Sequence, residues 1–223
     1  MATGRRAATT VKLKSVSVSK SAFVLSGSTG CSAKVTFTAV LSAALPTEGY
    51  KFSGVGVDFF APGHADEPFD GVAFTQVGTT TTYKGSLKIC GKYAGNYRAE
   101  VYGALLPASG DLDMTNVIAK VISVKRPSKL TLNATPEPVK KGKKVTAKGT
   151  LKIDGKVLSG AKVKVWFKAK GASAYTYKGV ATTNSKGAYS KAFTATKTGT
   201  WKVSYAGSNT RNNAAATDAV AVK

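Results

Sequence analysis

Few residues in this sequence could make or break bonds. The single histidine, His64, stands in the acidic stretch APGHADEPFDG at 61–71, beside Asp66, Glu67 and Asp70. An imidazole among carboxylates could relay protons, but acid–base catalysis also needs a positioned nucleophile or a substrate-gripping motif. No GxSxG, HExxH, CxxC or P-loop pattern occurs. No catalytic residue is assigned, and the chain is expected not to be an enzyme. Asp66, Glu67 and Asp70 offer oxygen ligands for calcium, at a spacing unlike an EF-hand loop. They stand as a weak calcium candidate against the plainer reading of a solvated acidic loop, with Asp111 and Asp113 a weaker pair. One histidine cannot build a multi-histidine metal site, and no cofactor is expected.

The only two cysteines are Cys31 and Cys90. In a chain rich in serine and threonine they fit one disulfide formed in an oxidising compartment. The residue types alone also allow two buried thiols in a reducing one.

A different chemistry is concentrated at 161–170, AKVKVWFKAK. Strict alternation puts Ala161, Val163, Val165, Phe167 and Ala169 on one face of a strand. Lys162, Lys164, Trp166, Lys168 and Lys170 then occupy the other. A tryptophan ringed by lysines offers a flat apolar anchor with cationic neighbours, suited to a protein surface, a sugar or a base. A β-bulge at this point would instead turn Trp166 into the core. Alternation alone leaves both placements open.

The net charge of +22 is uneven. Residues up to Lys125 hold 13 basic and 8 acidic side chains, whereas those from Arg126 onward hold 20 and 3. In that second half only Arg126 and Arg211 are arginines. Readers of nucleic acid lean on arginine for bidentate contacts, so nucleic acid is not the expected partner. A dispersed lysine coat suits a solvated surface or attraction to anionic polymers. No apolar stretch is long enough to span a membrane. MATGRRAATT lacks the apolar core of a signal peptide and reads as a mature secreted start behind an added methionine. Its Arg5 and Arg6 are candidate partner contacts, since a free basic arm can add a strand to another protein's sheet.

The elements that must position these residues are strands. The phrase GAYSKAFTATKTGTWKVSYAG at 187–207 reads as two strands, the second with Trp201, Val203 and Tyr205 inward. AGNYRAEVYG at 94–103 repeats it, aligning Gly95, Tyr97, Ala99, Val101 and Gly103 with Gly199, Trp201, Val203, Tyr205 and Gly207. Upstream, Val35, Phe37 and Ala39, then Val55, Val57 and Phe59, are expected inward. Val11 and Leu13 change phase against Val16 and Val18, which predicts a bulge or a kink. Single strands are expected at 71–77, 80–90, 96–105 and 116–125. Arg126-Pro127-Ser128 marks the join between two units. Beyond it, seven strands at spacings of about 8–12 residues, with an Asp154-Gly155 hairpin turn, predict an antiparallel sandwich. The domain plan is a flexible arm at 1–10, a β-sandwich at 11–125 and a lysine-rich β-sandwich at 126–223.

The run from LTLNATPEPVKKGKKVTAKGT to TGTWKVSYAG resembles the bacterial immunoglobulin-like modules of secreted actinobacterial proteins. The resemblance covers nearly all of 128–223 and touches the first unit through its Gly-x-Tyr strand. It implies two tandem immunoglobulin-like antiparallel β-sandwiches and an extracellular setting, and it implies no activity. The expected role is a secreted, non-catalytic protein–protein interaction module: an adaptor or scaffold subunit of an extracellular assembly, or an adhesin. The alternative is a binder of anionic cell-wall polymers or glycans through the lysine-rich unit. One departure stands out. Two residues after Tyr97, where antibody-type domains carry the second cysteine, stands Ala99. A Cys31–Cys90 bond would therefore pin a strand edge or a loop and not cross the sandwich centre.

Overall fold

Threonine, valine and the aromatic residues alternate with lysine and serine along most of the chain, and that pattern fits a pleated, half-buried surface. The computed structural model describes residues 6–7, 10–28, 30–64 and 66–223, and among them every regular element is a strand. Contacts divide the chain at Lys125–Arg126 into two units, each with its own apolar core.

The first unit contains β1 (Arg6–Ala7), β2 (Leu13–Val18), β3 (Ala22–Val24), β4 (Ala33–Leu41), β5 (Tyr50–Phe60) and β6 (Asp70–Ala73). After them come β7 (Thr75–Gln76), β8 (Thr82–Ile89), β9 (Gly95–Pro107), β10 (Asp113–Met114) and β11 (Ile118–Lys125). One sheet has the order β2-β4-β8-β7. The other is built on β9, with β5 and β6 on one side and β11 on the other, and β3 runs parallel to β11. Val35, Phe37 and Ala39 from the first sheet meet Val55, Val57 and Phe59 from the second, all buried as the alternation requires. The phase change in β2 is a register shift between Leu13 and Ser15 against β4.

The single strand expected at 71–77 is instead two, in different sheets. Strand β6 pairs with β5, whereas β7 pairs with β8. Phe74 between them is buried and stacks on Phe37, with ring centroids 6.1 Å apart. Burying that ring turns the chain inward and carries it across to the other sheet. Of the arm expected at 1–10, Arg5 lies outside the described residues. Arg6–Ala7 pairs parallel with Asp113–Met114.

The second unit contains β12 (Ser128–Leu130), β13 (Asn133–Thr135), β14 (Lys144–Ile153), β15 (Lys156–Val157), β16 (Lys162–Ala169) and β17 (Thr176–Thr182). It ends with β18 (Ala188–Thr194), β19 (Gly199–Tyr205) and β20 (Ala214–Val220). Strand β14 pairs with β12 and β13 on one side and β18 on the other, and a four-stranded sheet β17-β16-β19-β20 faces them. The hairpin between β14 and β15 turns on Asp154 and Gly155, with φ of 50° and 80°. Asp-Gly suits that turn because both positions need positive φ. Buried Tyr189 on β18 donates its hydroxyl to the Thr131 carbonyl, and burial pushes its phenol above the usual range.

In both units the strand order separates one sheet from another that carries a central strand and the last strand. That is the immunoglobulin-like arrangement of two packed antiparallel sheets. The repeated Gly-x-aromatic phrase is that central strand, β9 in one unit and β19 in the other. Tyr97 stacks on Phe59 of neighbouring β5 at 4.9 Å, and Trp201 packs on Phe167 of neighbouring β16 at 4.9 Å. The leading glycines are required by close packing. A Cβ on Gly95 would meet the Pro62 ring, and one on Gly199 would collide with the Lys168 carbonyl and the Phe167 ring. Tyr97 also donates its hydroxyl to the Tyr93 carbonyl at 3.2 Å, four residues upstream, the corner contact of such domains.

The Cys31–Cys90 disulfide is formed. Ala33 and Ile89 are paired across β4 and β8, so the bond closes the end of that strand pair within one sheet. It does not cross between the sheets.

Candidate interaction face

Strand β16 places Val163 and Val165 in the core and turns Lys162, Lys164, Trp166 and Lys168 outward. A bulge does occur, as a register shift between Val165 and Trp166, but only against β17. Against β19 the register runs unbroken, with Trp166 opposite Lys202 and Phe167 opposite Trp201. Since Trp201 is buried, its partner Phe167 faces inward and Trp166 must face out. Trp166 is thus half-buried on the outer face and not in the core. Its indole N–H donates to Ser204 Oγ at 3.0 Å. The ring of Tyr177, itself exposed, stands edge-on to it at 5.2 Å and 65°.

The lysines share this face with a third aromatic ring. Lys168 Nζ and Lys202 Nζ each lie 5.2 Å from the centroid of Tyr175, within cation–π range. Lys162 Nζ donates to Thr182 Oγ1 on β17 at 3.1 Å. Among the described residues no carboxylate pairs with Lys162, Lys164, Lys168 or Lys202. The face therefore joins Trp166, Tyr175 and Tyr177 to Lys164, Lys168 and Lys202. Lys202 was legible as outward from the phase of Trp201, but its position opposite Trp166 comes only from strand pairing. Tyr175 and Tyr177 carried no sequence signal beyond being aromatic.

The remaining site residues lie elsewhere. Lys170 follows the end of β16 in a turn, where its N–H donates to the Thr198 carbonyl. Arg6 belongs to β1 of the first unit, and Arg5 is outside the described residues. Asp66, Glu67 and Asp70 are exposed, and among the described residues no three His, Cys, Asp or Glu side chains are grouped to hold a metal. His64 is exposed, its ring 5.8 Å from that of Tyr93.

No protein-family model matches the sequence, and no curated protein sequence matches it. Solved structures resemble it at low identity. Fibronectin(III)-like modules of Clostridium thermocellum CbhA match at 14% identity, covering 95% of this chain and 94% of that one, with a TM-score of 0.33. Titin domains I67–I69 match at 11% identity over 96% of this chain and 65% of that one, with a TM-score of 0.41. Salmonella alpha-2-macroglobulin matches at 9% identity over 99% of this chain, which spans 15% of its length, with a TM-score of 0.39. Likeness at this level does not reach function. What the strand order and packing define is an all-β chain of tandem immunoglobulin-like sandwiches. Among the described residues no helix is long and apolar enough to cross a membrane.

Proposed function

We propose that this chain is a secreted, non-catalytic interaction module, an adaptor or scaffold subunit that grips an acidic protein partner through the outer face of β17-β16-β19-β20. The observation that carries the reading is one sheet surface holding three aromatic rings and three lysines, with no described carboxylate pairing those lysines. Magnitudes divide the labour. Exposed ion pairs contribute about 0–1 kcal/mol each, so the lysines chiefly speed encounter and select an acidic partner. Trp and Tyr dominate interface energetics, so affinity comes from Trp166 and Tyr177. The Cys31–Cys90 bond supports an extracellular setting, since such bonds persist in oxidising compartments.

A second reading has its own observation. Lys162, Lys164 and Lys168 recur along the inner strand β16 at every second or fourth position, a linear array that also suits an anionic cell-wall polymer or glycan. A pull-down from the secreting culture at low and high salt separates the two. A discrete protein that stays bound at high salt and is lost with Trp166→Ala is the expected result. Release of wall polymer alone by salt would replace the adaptor reading with the second one.

A further inference from the structure

The second sandwich has an open side, where β17 and β18 are the edge strands of its two sheets. Lys191 of β18 donates to the Val180 carbonyl of β17 at 2.9 Å and ties those edges together. Between the sheets a cavity of about 240 Å³ remains. Its walls are Phe167 of β16, Trp201 of β19 and Val220 of β20 from one sheet, and Phe193 of β18 from the other. Trp201 stands between the two phenyl rings, its centroid 4.9 Å from that of Phe167 and 4.8 Å from that of Phe193.

Two lysines complete the lining. The register shift between β16 and β17 sets Gly179 opposite Val165 and Tyr177 opposite Trp166, so Lys178 has no residue across from it. It lines the cavity instead, as does Lys197 from the connection between β18 and β19. Both are exposed, and side chains of this kind lay their stems along apolar surface while keeping the ammonium group in water. The carboxylates of residues 126–223 are Glu137, Asp154 and Asp218, and none of them lines this cavity.

We propose that the cavity is a binding site for a small aromatic carboxylate. Its size admits one ring: an apolar cavity of about 150 Å³ holds benzene, so 240 Å³ takes a ring with a short acidic arm. Aromatic walls favour an aromatic guest, through edge-to-face and offset contacts. The lysines supply positive charge that the protein leaves without a carboxylate at this place. An acid held at the mouth meets them while still partly hydrated, so the ring is buried without burying the charge. The cavity lies on the inner side of β16, away from Trp166, and the outer-face reading stands or falls separately.

The test is titration of the full chain with phenylacetate, followed by proton–nitrogen NMR of the two tryptophan indole N–H groups. The Trp201 signal should shift saturably, with a dissociation constant of about 0.1–1 mM for so small a ligand, and the Trp166 signal should shift less. Phenylacetamide has the same size and no charge, and should bind about tenfold more weakly, since charged hydrogen bonds are the stronger ones. Lys178→Gln combined with Lys197→Gln should bring acid and amide to within about twofold of each other. Both substitutions fall at exposed positions, and circular dichroism confirms the fold. A titration without saturation overturns the proposal, as does a shift confined to Trp166. So do equal affinities for acid and amide in the native chain, or a preference for the acid that survives loss of both lysines.

Discussion

Trp166 and Tyr177 meet edge-to-face on the outer surface of the second sandwich, 5.2 Å between centroids, just where the register of β16 slips against β17. The slip brings Tyr177 opposite Trp166, and the indole N–H is fixed from the other side by Ser204. A tryptophan held on both flanks loses little freedom on binding, which makes it a preorganised anchor.

Trp166→Ala should therefore abolish capture of the protein partner, while costing the fold about 1–3 kcal/mol from the lost aromatic pair and hydrogen bond. Thermal melting and partner capture measured side by side check this. Tyr177→Ala should weaken capture less, and unchanged capture in both variants would remove the face from consideration.

Lys164, Lys168 and Lys202 replaced together by glutamine should slow association with an acidic protein while leaving dissociation nearly unchanged, as charge steering acts on encounter. Surface plasmon resonance at two salt concentrations reads both rates. If an anionic polymer is the partner instead, the same variant should flatten the salt dependence of affinity, because fewer counterions are released.

The Cys31–Cys90 bond closes a loop with a sequence separation of 59, so on the chain-entropy model its removal costs about 4 kcal/mol. Cys31→Ser with Cys90→Ser should lower the melting of the first unit and leave that of the second unchanged. Calorimetry on the whole chain should show one transition moving.

Gly199→Ala should destabilise the second unit by about 1–3 kcal/mol or more, the cost of forcing atoms into a filled site. The added methyl meets the Lys168 carbonyl and the Phe167 ring. Denaturant unfolding followed by tryptophan fluorescence reports this directly, since both tryptophans lie in this unit.

Tyr189 supplies a pH dependence. Burial raises its folded-state pKa above the unfolded value near 10, so the stabilisation is complete below that value and is lost as pH rises above it. Between pH 9 and 11 the second unit should lose stability more steeply in the native protein than in Tyr189→Phe. That variant starts lower by about 1 kcal/mol, having left the Thr131 carbonyl without its donor. Parallel curves for the two proteins would show that Tyr189 does not set the alkaline limit.

Much of this architecture was legible in the residues because strand burial has a period of two and local chemistry enforces it. The alternations in β4, β5 and β19, the phase change in β2 and the Asp154-Gly155 turn needed no tertiary information. So did the outward phase of Lys162, Lys164 and Lys168. What sequence could not supply was pairing between strands distant in the chain. Whether Trp166 faced solvent depended on its register against Lys202, 36 positions away in sequence, and a bulge against one neighbour had no bearing on the other. The break at Phe74 and the gathering of Tyr175, Tyr177 and Lys202 around Trp166 were decided the same way. Asp66, Glu67 and Asp70 are neighbours in the chain, and among the described residues no three His, Cys, Asp or Glu side chains gather to hold a metal. Local pattern determines which way a side chain points from its own strand, and only the folded sheet determines what stands beside it.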